Sequence, residues 1–141
     1  MINSDPSTIY TVALAATMLA AGTSWVANGW GRNFFGNRGV TYFTPLVEEM
    51  SKTLWAVVLN TPLVWTHLGF GLIEALVEIK RRSVKGILAG CTSLIVHGML
   101  GLLTVKIYTT SNLLFALLSS YLAHASWNGA VNYYSKRTDV T

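Results

Sequence analysis

Charge is what this sequence has least of. Only 11% of its 141 residues are Asp, Glu, Lys or Arg, against about 25% in a soluble globular domain. With 52% hydrophobic residues and a mean hydropathy of +0.45, the composition excludes an ordinary soluble surface and points to lipid. A single cysteine, Cys91, excludes an intrachain disulfide and any paired-cysteine metal motif, and its apolar surroundings mark it as a small core residue. The flank before the first apolar segment holds Asp5 and no Lys or Arg. That argues against a secretory signal peptide, whose n-region is positive, so the segment is expected to be retained. No internal repeat is visible, and no recognisable nucleic-acid-binding module accompanies the net charge of +4.

What the chain does have is five apolar segments separated by turn signals. A spanning helix needs about 20 mostly apolar residues, so the expected fold is an all-α polytopic membrane protein, one domain over residues 1–141 with about five transmembrane helices. Their expected bounds are 8–27, 44–60, 62–79, 86–107 and 113–134. Ala13, Ala16, Ala20 and Gly22 give the first helix the small residues that permit close helix packing. Residues 28–43, with Trp30, Phe34, Phe35, Tyr42 and Phe43 beside Arg32 and Arg38, suit a headgroup-layer connection. Thr44 and Pro45 read as N-cap and first helical position, Thr61 and Pro62 as a tight turn, and residues 109–112 as a short polar turn.

The basic residues set an orientation. If five spans alternate sides, Arg32, Arg38, Lys80, Arg81, Arg82, Lys85, Lys136 and Arg137 all fall on one side, Lys106 on the other, and Lys52 inside the second helix. The positive-inside rule then places the amino terminus outside and the carboxyl terminus in the cytoplasm, in an expected prokaryotic cell membrane.

Against this apolar background, the three histidines stand out, each in a different segment. An ionised side chain at mid-bilayer costs roughly 2.5 to 3.5 kcal/mol on insertion scales, so buried Glu and His side chains are expected to be functional. Helical phase places His67, Gly71, Glu74 and Glu78 on one stripe of the third helix. Ser93, His97, Gly101 and Thr104 share a stripe of the fourth, and Ser120, His124 and Asn128 one of the fifth. Glu48, Glu49 and Lys52 sit near the cytoplasmic start of the second. Counted from the cytoplasmic ends, Glu48, Glu49, Glu74 and Asn128 lie about one to two turns deep and His97 and His124 somewhat deeper, within reach of one cavity.

Each residue also has a plainer role. Glu48 and Glu49 at a helix start favour the macrodipole and form i,i+4 and i,i+3 pairs with Lys52. Glu78 beside Lys80, Arg81 and Arg82 suits a solvated ion pair. His67 is placed to bond a carbonyl or a neighbouring helix, and Ser93, Ser120 and Thr104 to serve as packing or back-bonding hydroxyls.

Four short patterns together resemble a family. PLVEEMSK, from Pro45 to Lys52, is similar to the EExxK motif of PrsW-type intramembrane metalloproteases, relatives of the CAAX prenyl proteases and bacteriocin-processing enzymes. Gly69 to Ala75 resembles that family's FxxxEN motif, with Ala75 in place of the usual Asn. His97 and the pair His124 and Asn128 match its third and fourth motifs. The likeness covers residues 44–134, leaves the first helix unmatched, and belongs to a shorter chain than typical members. It implies peptide-bond hydrolysis of a membrane-associated polypeptide substrate. His97, His124 and Glu74 would hold a divalent metal, expected to be Zn2+, with Glu49 or Glu48 as general base and the carboxylate roles interchangeable. Asn128 would serve the oxyanion or orient His124; Lys52, with His67 in support, would tune the carboxylates. A metal-free glutamate mechanism, a non-catalytic scaffold or immunity-type relative, and a small cation or proton carrier are the alternatives.

Overall fold

The computed structural model of the chain describes residues 6–82 and 84–138; Asp5 and Ser83 lie outside them. Five α-helices follow in order: α1 (Pro6–Arg38), α2 (Thr44–Val58), α3 (Leu63–Arg82), α4 (Val84–Thr110) and α5 (Leu113–Thr138). A π-helical turn, Gly39–Phe43, joins α1 to α2, and no strand occurs among the described residues.

The last four helices lie close to their expected bounds, and the first does not. Residues 28–38, expected as a connection, continue α1, because no proline interrupts them. The break comes only at Gly36, whose φ of 53° and ψ of −135° suit glycine. Helical backbone then runs through the π turn into α2. Phe43, not Thr44, is therefore the residue before α2, and no side-chain cap forms because the upstream turn is already helical.

The α2–α3 corner is a Schellman motif. Asn60 takes the left-handed φ of 50° at the position after the cap; its N–H bonds Val57 O at 3.1 Å, and Thr61 N–H bonds Ala56 O at 2.9 Å. Pro62 then prevents continuation and turns the chain into α3. At the last corner, Asn112 Oδ1 accepts from Phe115 N–H at 3.0 Å and caps α5.

α3 and α4 form the tightest pair, an antiparallel hairpin built on glycine. A Cβ at Gly101 would lie 2.8 Å from His67 Cβ, one at Gly71 2.9 Å from His97 Cβ, and one at Gly90 3.0 Å from Ala75 O. Each histidine thus occupies the notch left by a glycine on the facing helix. α1 joins through Thr23 Oγ1, which accepts from Trp55 Nε1 at 3.1 Å, and Asn132 Nδ2 of α5 donates to Thr41 Oγ1 of the π turn at 2.8 Å.

The interior is polar and the exterior apolar. Lys52, His67, His97 and Glu49 are among the largest fully buried side chains, whereas the apolar core consists mainly of alanines with Leu63, Phe70 and Leu100. Leu14, Met18, Leu76, Leu88, Met99 and Leu122 face outward. Cys91, expected in the core, is exposed on α4, where its weakly polar thiol matches the apolar surface around it. Among the described residues, two helices, over Ser7–Gly31 and Val84–Thr110, are long and apolar enough to cross a membrane by length and composition, not the five expected. α2 is only 15 residues long, which spans about 22 Å. In α3 and α5, the acidic, histidine and hydroxyl residues lower the average.

The glycine notches give a direct test. Gly101→Ala and Gly71→Ala are each expected to cost about 1 to 3 kcal/mol, because the added methyl meets histidine Cβ rather than a flexible side-chain end. Gly22→Ala, with nothing within 4 Å, should be neutral or stabilising by up to about 1 kcal/mol. Thermal unfolding followed by circular dichroism compares them; equal midpoints for Gly101→Ala and Gly22→Ala would refute the close packing.

Candidate functional site

The site is assembled from inward faces. Glu48, Glu49 and Lys52 occupy the buried face of α2 with Pro45, Thr53 and Ala56. α3 contributes His67 and Glu74, α4 Ser93 and His97, α5 Ser120 and His124, and α1 adds Asn28 from its carboxyl-terminal third.

Glu49 is the hub. Its Oε1 lies 2.5 Å from Lys52 Nζ and 2.8 Å from His124 Nδ1, and Ser120 Oγ donates to its Oε2. The expected i,i+3 pair thus forms, and with Lys52 and Glu49 0% and 1% exposed it is wholly internal. Lys52 Nζ also lies 2.9 Å from His97 Nδ1 and 4.8 Å from the centre of the Phe70 ring. The other nitrogen of His97, Nε2, lies 2.7 Å from Glu74 Oε2, which also accepts from Ser93 Oγ at 2.6 Å. Glu48 Oε1 accepts from Asn28 Nδ2 at 3.1 Å, and its Oε2 faces His124 Nε2 at 3.8 Å. The rings of His97 and His124 meet edge to face, 5.1 Å apart.

Of the residues expected from sequence, Glu48, Glu49, Lys52, Glu74, His97 and His124 converge in this network. Asn128 lies one turn beyond His124, half-buried. His67 is fully buried with its Nδ1 3.8 Å from Glu49 Oε2, yet neither ring nitrogen has a hydrogen-bond partner, so the expected hydrogen bond to a carbonyl or a neighbouring helix is not made. Its ring is placed by the Gly101 notch rather than by a polar bond. Thr104 bonds back to Leu100 O at 2.8 Å and Glu78 pairs with Arg82 at 3.0 Å, both as expected. Ser93 and Ser120 are not merely packing hydroxyls, because each donates to a site carboxylate. Their position four residues before a histidine was the visible signal. Asn28 lies just past the expected end of the first helix at residue 27, whereas α1 runs on to Arg38; the stripe Ala16, Ala20, Ser24, spaced by four, leads straight to it.

The donor chemistry fits a metal. Glu48, His97 and His124 each offer a ligand atom, all within 4.8 Å of one another, and one carboxylate with two imidazoles is a ligand set of catalytic zinc. Glu48 and not Glu74 stands in this group; Glu74 sits at His97 Nε2, where a carboxylate orients an imidazole. Charge agrees. With Glu48, Glu49 and Glu74 all ionised, the one ammonium would leave two negative charges, which one divalent cation or two protons would neutralise. No family model, curated protein or solved structure matches the chain.

One divalent ion per chain is accordingly expected to bind, measured by Zn2+ titration or the visible spectrum of Co2+. His124→Ala and Glu48→Gln should weaken binding most, and Glu74→Gln should weaken it by about 10- to 100-fold. Unchanged affinity in His124→Ala would rule out this ligand set.

Proposed function

We propose that the chain is a multi-pass membrane protein whose polar interior hydrolyses peptide bonds in a membrane-associated polypeptide, as its resemblance to PrsW-type proteases implies. The observation that carries this is the convergence of Glu48, Glu49, His97 and His124 from three helices in a buried site surrounded by apolar exterior. Buried ionisable groups are costly in lipid and are kept where they act.

Membrane spanning by more than two helices is supported by where the polar residues point. α2, α3 and α5 have lower average hydropathy because their polar groups face inward; outward they present Met50, Leu54 and Val58, Leu72 and Leu76, and Leu114, Leu118 and Leu122. The π-helical turn lengthens α2 at its amino-terminal end. An acyl-chain environment accounts for this inverted distribution, since a soluble monomer rarely leaves so large an apolar surface uncovered.

A divalent ion held by Glu48, His97 and His124 would supply Lewis acidity toward a carbonyl and toward water. The chain's own groups do the rest. A carboxylate has about four acceptor sites; Lys52 and His124 fill two at Glu49 Oε1, and Ser120 fills one at Oε2. The remaining site on Oε2 accepts the proton of an attacking water. Glu74 holds His97 in one orientation, and Asn128 offers an amide N–H to the developing oxyanion.

A cation or proton carrier is the second reading, and one observation favours it. Ser93, Glu74, His97, Lys52, Glu49 and His124 form an unbroken chain of contacts no longer than 2.9 Å. Proteoliposomes separate the two: pH- or cation-driven flux belongs to the carrier, peptide cleavage to the protease.

His124→Ala and Glu49→Gln are each expected to abolish cleavage of a membrane-associated peptide, because a lost ligand or proton acceptor removes several kcal/mol of transition-state stabilisation, about 3 or more; circular dichroism of each inserted variant separates this loss from the cost of breaking the buried Glu49–Lys52 pair. Glu78→Gln, in its Arg82 pair away from the network, should retain activity. Wild-type turnover in both first variants would refute the assignment.

The eight-to-one distribution of basic residues predicts an amino terminus outside and a carboxyl terminus inside. With Cys91 replaced by Ser, Lys85→Cys should react with an impermeant maleimide only after the membrane is opened. Labelling of intact cells would reverse the topology.

A further inference from the structure

Lys52 occupies an unusual place. An ammonium has three donors and no acceptor, so its 2.9 Å contact with His97 Nδ1 requires that nitrogen to be the acceptor. The proton of a neutral His97 ring is then on Nε2, where it donates to Glu74 Oε2 at 2.7 Å. In this arrangement the one lone pair of His97 able to bind a cation is already given to Lys52. His124 differs: its Nδ1 lies on Glu49, and its Nε2 faces Glu48 across 3.8 Å.

From these contacts we infer that Lys52 is the resident cation of the site and competes with a divalent ion for His97 Nδ1. This rests on the metal-binding reading of Glu48, His97 and His124. For His97 to join that ligand set through Nδ1, the ammonium must leave that nitrogen, and it can do so without losing its ion pair, because Glu49 Oε1 lies 2.5 Å away on the same amine. The competition makes Lys52 a determinant of ion selectivity. Hard ions such as Mg2+ gain little from imidazole and do not displace it, whereas Zn2+ binds imidazole well. With the ion absent, the ammonium covers part of the buried negative charge.

Chelator-buffered Zn2+ titration of the purified protein tests this in wild type, Lys52→Gln and Lys52→Met, each with and without His97→Ala. Both Lys52 variants should bind Zn2+ about tenfold or more tighter than wild type, in the range by which groups beside a metal site alter affinity. In the His97→Ala background the gain should fall below about threefold, since competition at that nitrogen is gone. Equal or weaker binding by the Lys52 variants overturns the competition and leaves the metal reading standing. A full gain that persists without His97 also overturns it, assigning the effect to the general field of the ammonium. Absence of Zn2+ binding in every form overturns both readings. Because a variant that loses a buried charge can fail to fold, wild-type protein labelled with 15N-lysine supplies an independent measurement. The Lys52 Nζ resonance should move on Zn2+ addition; an unmoved resonance in the loaded protein overturns the proposal.

Discussion

The buried ion pair between Glu49 and Lys52 is the contact on which the rest of the interior depends. Removing one partner of such a pair typically costs about 3 to 5 kcal/mol, because the other is left charged and unsolvated. Here each partner also holds a histidine, Glu49 bonding His124 and Lys52 contacting His97. Two imidazoles on different helices are thereby fixed relative to one i,i+3 pair on a third. Ser120 and Ser93 complete the carboxylates, and Asn28 ties the first helix to Glu48.

Glycine makes room for these groups. The reciprocal notches, His67 against Gly101 and His97 against Gly71, bring α3 and α4 close enough for Glu74 to reach His97 and Ser93. Larger residues would separate the helices and open the polar interior. Most core apolar residues are alanines, so the bundle gains little from large buried hydrophobic side chains and depends on close helix approach instead.

Access to the site is uneven. Glu49 and Lys52 are sealed, while the Glu74 side chain is 42% exposed and the network opens there. Partial exposure of one end suits both a hydrolytic site that admits a polypeptide and a relay that exchanges a proton or cation. His67 adds an internal polar surface: its two unpartnered nitrogens beside Glu49 Oε2 suit an ordered water or another small polar species.

Sequence alone was enough for the number of long helices, for the bounds of the last four to within a few residues, and for the six residues that converge, because helical phase puts residues three and four apart on one face wherever the helix sits. The stripes His67 and Gly71, His97 and Gly101, and His124 with Ser120 were all visible in this way. Phase does not say how one helix meets another. That Glu48 and not Glu74 stands beside both histidines, that Lys52 reaches across to His97, and that Asn28 and two serines join the carboxylates depend on helix separation and relative rotation. Those are set by glycine contacts and a break at Gly36, which act between segments far apart in the chain. Average hydropathy was likewise an incomplete guide, since it sums both faces of a helix, and only the tertiary structure decides which face is turned inward.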